Sequence, residues 1–165
     1  MKALIPADRP TAPTTSIGHV HLKVADLDRA IGFYSGVLGF DVIARLESGA
    51  AFLSAGGYHH HIGLNTWESA DATPPPPGHT GLYHTAFLYP TRADLADAVR
   101  RVVEAGYKIT GKADHGVSQA VYLDDPDGNG VELYWDKPKD EWLMNGDGTL
   151  NMVNAPLDLD DLLRA

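Results

Sequence analysis

A chain of 165 residues, 44% hydrophobic and 21% charged, has the size and make-up of one well-packed globular domain or of two small modules sharing a core. Its net charge of -9 argues against a nucleic-acid partner or an anionic membrane surface, because phosphate is held by clustered Lys and Arg. There is no cysteine, which excludes disulfides, thiol nucleophiles and thiolate zinc sites and leaves only nitrogen and oxygen ligands for any metal.

No apolar run reaches membrane-spanning length and no charged-then-apolar leader opens the sequence, so a cytoplasmic protein is expected. Residues 1–16 are rich in Pro, Thr and Ala without periodicity and read as a loose arm. From 17 to 24 the pattern alternates, with Val20, Leu22 and Val24 on one face and His19, His21 and Lys23 on the other, the signature of a strand with one buried side. Asp26 is placed to cap a helix in which Leu27, Ala30, Ile31, Tyr34, Val37 and Leu38 recur at helical spacing, and Gly39 ends it. Strand-like runs follow at 40–46, 50–54 and 58–65, separated by Gly49 and Gly56-Gly57. The segment 67–80 is polar and carries four consecutive prolines at 74–77, a stiff linker. The order then restarts: a strand at 82–88, a helix at 94–105, and strands near 107–110, 119–123 and 130–135, with Asp125-Pro126-Asp127-Gly128 reading as a turn. A less regular tail, 137–165, holds a short helix around 157–163. The expected fold is therefore α+β, two βαβββ modules at about 17–66 and 81–136, within a single domain, forming a cupped mixed sheet.

The repeat carries a histidine at the same place in each copy, His19 and His84. A pseudo-twofold axis between the copies would make the two face each other. On the last strands, Val131, Leu133 and Trp135 form an apolar face and leave Glu132 and Tyr134 opposite, while His59 and His61 share one face and His60 takes the other. Pairing the final strands matches His61 with Glu132, so four polar side chains are expected to converge on one point. Two imidazoles and a carboxylate with open positions form the ligand set of a non-haem Fe(II) oxygenase. A single strand histidine is more often a satisfied or solvent-facing residue; the coincidence of His19, His84 and Glu132 at matching positions is what favours a metal. His79 lies in the linker and carries no functional reading.

The pieces Gly18-His19-Val20 with Asp26-Leu27, Phe33-Tyr34, Leu38-Gly39-Phe40 and the run 125–133 resemble the vicinal oxygen chelate superfamily, which spans glyoxalase I, type I extradiol dioxygenases and resistance proteins. The resemblance covers about 17–135, and the segments 81–84, 114–118 and 157–159 are similar to one half of catechol 2,3-dioxygenases. It implies His19, His84 and Glu132 as metal ligands, with Fe(II) as the ion and Mn, Ni, Co or Zn as alternatives. It further implies Tyr122, ten residues before Glu132, and His115 as active-site groups, with His61 at a proton-handling position that glyoxalase I fills with a fourth ligand. The activity implied is extradiol cleavage of an aromatic diol by O2. A glyoxalase-type isomerase or lyase, or a non-catalytic resistance-type binder, remains open on the same residues. Such a chain either completes the cup alone or pairs with a second copy as a homodimer.

Overall fold

In the computed structural model, which describes residues 8–165, each half of the sequence folds into a four-stranded sheet backed by a helix. Strand β1 (Val20–Lys23) leads into helix α1 (Leu27–Ile31), where the Asp26 carboxylate accepts the backbone N–H of Arg29 at 2.9 Å. The helix continues as a π-helical stretch, Gly32–Val37. This wider turn places the consecutive residues Phe33 and Tyr34 both in the core. Strands β2 (Asp41–Leu46), β3 (Ala50–Ser54) and β4 (Ile62–Asn65) complete the first sheet in the order β1-β4-β3-β2, with β1 and β4 parallel. The second half repeats it with β5 (Thr85–Leu88), α2 (Arg92–Glu104), β6 (Ile109–Asp114), β7 (Ser118–Asp124) and β8 (Gly130–Asp136), ordered β5-β8-β7-β6. A short helix, α3 (Leu159–Leu162), closes the chain. No helix among the described residues is long and apolar enough to cross a membrane.

The expected βαβββ order holds in both halves, but several strands start later than their apolar patterns. Residues 58–61 are a bend, and β4 begins only at Ile62. The alternation expected for His59, His60 and His61 therefore does not apply, because none of them lies in a strand.

The two modules meet through their helical sides. Leu22, Phe33, Tyr34 and Leu64 of the first share one core with Leu95, Val99, Leu133 and Leu162 of the second. Phe33 packs on Tyr107 with ring centroids 4.8 Å apart, and Phe40 on Phe87 at 5.0 Å. The segment 125–129, expected to be a turn, is also the clasp between modules. Its buried Asp125 accepts the Tyr34 hydroxyl at 2.9 Å, and Asp127 accepts the Ala25 N–H at 2.9 Å and an Arg29 N–H at 2.7 Å. Burial and the facing carboxylates push the Tyr34 hydroxyl far above its usual range, so it stays a donor. With the helices turned inward, each sheet presents its other face outward. Among the described residues no strand of one sheet pairs with a strand of the other, which leaves β1 and β5 at the sheet edges.

Candidate active site

His84 and Thr85 stand at the entrance to β5, as His19 and Val20 do at β1. The ladders match as well: Val20 pairs with Ile62, as Thr85 pairs with Val131. One step on, His21 lies opposite Gly63 where Ala86 lies opposite Glu132. The counterpart of Glu132 is thus Gly63, and the expected match of His61 with Glu132 is corrected by two positions. The glycine has a steric cause: a Cβ there would come within 2.9 Å of the His21 ring. His21 fills that space and its Nε2 lies 3.0 Å from the Asn65 side-chain amide.

The outward face of the second sheet holds a connected polar set. The His84 Nε2 is 2.8 Å from one oxygen of Glu132, and the Tyr122 hydroxyl is 3.1 Å from the other. Beyond it, the Tyr122 oxygen is 2.7 Å from His115 Nε2. Tyr122 and Glu132 are direct cross-strand neighbours in the β7–β8 ladder, which fixes their contact. The Tyr122 hydroxyl is pushed up to about 12, first by burial and then by the charge of Glu132 and its hydrogen bond. Tyr83, His84, His115 and Tyr122 line a cleft of ≈ 680 Å³, and Asn154 from the tail forms part of its wall.

On the first sheet the histidines form a separate cluster. The His19 ring lies 4.4 Å from that of His60, which also packs on Phe52 at 5.0 Å. His59 and His60 approach Nδ1 to Nδ1 at 2.8 Å. His60 is held below the ordinary imidazole value, first by burial and then by His19, His59, His21 and His61 around it. His61 turns instead toward Ser54, with Nδ1 3.2 Å from the hydroxyl. His79 reaches only the Pro76 carbonyl, at 3.0 Å.

The expected convergence of His19 and His61 on His84 and Glu132 is therefore not completed within one chain. Among the described residues no three His, Asp or Glu side chains come together as a metal requires. Two of the expected ligands do meet. Two ligand atoms bound side by side on one ion at about 2.1 Å lie roughly 3 Å apart, close to the 2.8 Å between His84 and Glu132. A nitrogen and a carboxylate oxygen suit iron or manganese. Reasoning from the sequence did not find the His21–Gly63 exchange, Tyr83 or Asn154; only the glycine, an interruption inside an apolar strand, signalled a close approach.

Residues 16–133 match the Glyoxalase/Bleomycin resistance protein/Dioxygenase superfamily, and the chain belongs to it. It is 40% identical over 149 residues to a catechol-2,3-dioxygenase of Bacillus subtilis, covering 90% of this chain and 51% of that protein. It is 32% identical over 123 residues to biphenyl-2,3-diol 1,2-dioxygenase 3 of Rhodococcus globerulus, covering 74% of this chain and 64% of the relative. The chain thus spans about half to two thirds of the length of these relatives. Among solved structures, a lactoylglutathione lyase from Agrobacterium tumefaciens superposes with a TM-score of 0.58 at 27% identity, over 75% of this chain and 96% of that one.

Proposed function

We propose that the protein is an Fe(II)-dependent extradiol dioxygenase that opens the ring of a catechol-type diol. The observation that carries this reading is the hydrogen-bonded line His84–Glu132–Tyr122–His115, of which His84, Tyr122 and His115 line the cleft. The names of the two dioxygenase relatives, one a catechol and the other a biphenyl-diol enzyme, support the substrate class. His84 and Glu132 would hold the iron with His19 as third ligand. Bound iron would supply one redox-active Lewis acid at which the diol and O2 meet.

The rest of the chemistry belongs to the chain. Tyr122, neutral at physiological pH, hydrogen-bonds an oxygen of the diol and keeps it oriented toward Glu132. His115 backs Tyr122. A histidine of the 59–61 run, His61 in the family's pattern or His60 by its contact with His19, accepts the proton that the diol loses on binding. In the overall reaction the ring C–C bond beside the diol breaks, and both atoms of O2 enter the product. Gly63 has no side chain to serve as a fourth ligand from the first module, which favours three ligands and open positions over a closed isomerase site.

His19 would be supplied to the site by a second copy of the chain, module one of each copy meeting module two of the other along β1 and β5. The support is the edge position of those strands and the apolar residues beside them: Ile17 is 96% exposed and Tyr83 88%. The test is anaerobic loading with Fe(II), then addition of several catechols and air. A yellow ring-fission product heavier than the diol by one O2 is expected; its absence with every catechol would overturn the proposal.

A further inference from the structure

Residues 142–155 cross the outside of the second module as a strap. Its hairpin is closed by the Asn151 N–H donating to the Leu143 carbonyl at 2.8 Å. Its end is stitched to the β6–β7 turn. The Val153 N–H donates to the His115 carbonyl at 3.1 Å, and Asp114 and Ala155 exchange both of their N–H bonds at 2.9 Å. Beyond the strap, Leu157 and Leu162 are buried in the shared core, and Arg92 bonds Asp161 at 2.7 Å, so the far end is anchored.

The strap also touches a side chain of the site through a backbone group. His115 Nδ1 lies 3.1 Å from the Val153 carbonyl oxygen, and His115 Nε2 lies 2.7 Å from the Tyr122 oxygen. A carbonyl can only accept, so the proton of a neutral His115 must sit on Nδ1. Nε2 is then an acceptor and draws the Tyr122 proton. Tyrosine has one proton, so the shorter contact to His115 and the 3.1 Å contact to Glu132 compete for it.

We infer that the strap is a positioning element of the site: the Val153 carbonyl fixes His115 as its Nδ1–H tautomer, which makes Nε2 an acceptor that competes with Glu132 for the Tyr122 proton and so sets which way the Tyr122 lone pairs face in the cleft. The Tyr122 oxygen can then accept a hydrogen bond from a hydroxyl of a bound diol. This use of Tyr122 rests on the dioxygenase reading; the tautomer does not.

The approach of strap to turn depends on Gly116. Its φ of +81° is a left-handed conformation, and a Cβ there would meet Leu143 at 3.1 Å and the Asn151 carbonyl and Val153 at 3.3 Å. Gly116→Ala, at a position that does not itself line the cleft, pushes the strap away from the β6–β7 turn. Val153→Pro, which removes the N–H bonded to the His115 carbonyl, is the second variant should Gly116→Ala fail to fold.

The experiment is 15N NMR of histidine-labelled protein at about pH 8, where an unperturbed imidazole is neutral, with His115 assigned by His115→Gln. Wild-type His115 is expected with Nδ1 protonated and Nε2 bare. The strap variant is expected to move His115 toward the Nε2–H form that dominates in free imidazole side chains, and to lower kcat by about tenfold with little change in KM. A wild-type His115 with its proton on Nε2, or on both nitrogens, would overturn the inference, as would a folded strap variant whose tautomer is unchanged. Failure of catechol turnover with the expected tautomer would count against the dioxygenase reading alone.

Discussion

At Asp125 four donors converge on one buried carboxylate: the Tyr34 hydroxyl, the backbone N–H groups of Asp127 and Asn129, and the Asn129 side-chain amide. Removing the carboxylate strands these donors at the contact between modules. Asp125→Ala is expected to cost about 3 kcal/mol in urea unfolding, whereas Asp124→Ala, at an exposed neighbour, should be near neutral. At the site, His84→Ala and Glu132→Ala each remove one of the two proposed ligands that meet among the described residues. Iron affinity should fall by at least about 100-fold in either, with the circular dichroism spectrum unchanged. Alternation along the last strand placed Glu132 on its face, the repeat marked His84, and the resemblance pointed to Tyr122, ten residues before Glu132. The His59–His61 run was not readable in that way. A strand pattern was extended through residues that fold as a bend, and the register then slipped by two, so that His61 was matched with Glu132 in place of Gly63.

Among the elements, the tail gave the weakest sequence signal and has the most particular attachment. Its aperiodic residues 137–155 hold no strand or long helix: Lys137, Val153 and Ala155 bond to β6 and the β6–β7 turn, and the residues between bond to one another. Asp114 anchors this region through Lys137 at 2.7 Å, with the Gly116 N–H and the Gln119 amide as further donors. Burial alone would raise the Asp114 carboxyl, but these partners outweigh it and hold the group below its ordinary value of 3.8. A carboxyl lowered in the folded state adds stability that is complete above the unfolded value and is lost as pH falls through the folded one. Wild-type Tm should therefore fall more steeply below about pH 4 than that of Asp114→Asn. Parallel slopes would show that the contact adds nothing.

For the whole molecule, the doubled strand-helix pattern foretold two modules, and both are present with the same strand order. It also suggested that the outward faces close on one another. Pattern within a chain cannot decide that, because the apolar faces of α1 and α2 need burial as much as the sheets do, and here they take the space between the modules. The expected consequence is a site shared by two copies, and oxygen uptake by mixed variants tests it together with the chemistry. Fe(II)-loaded wild type with a catechol is expected to consume one O2 per diol, while His19→Ala and Glu132→Ala each consume almost none. An equal mixture of the two, dissociated and reassociated, places one intact site in half of the dimers and should regain about a quarter of the wild-type rate. No uptake by the wild type would contradict the dioxygenase assignment, and a silent mixture beside an active wild type would contradict the shared site.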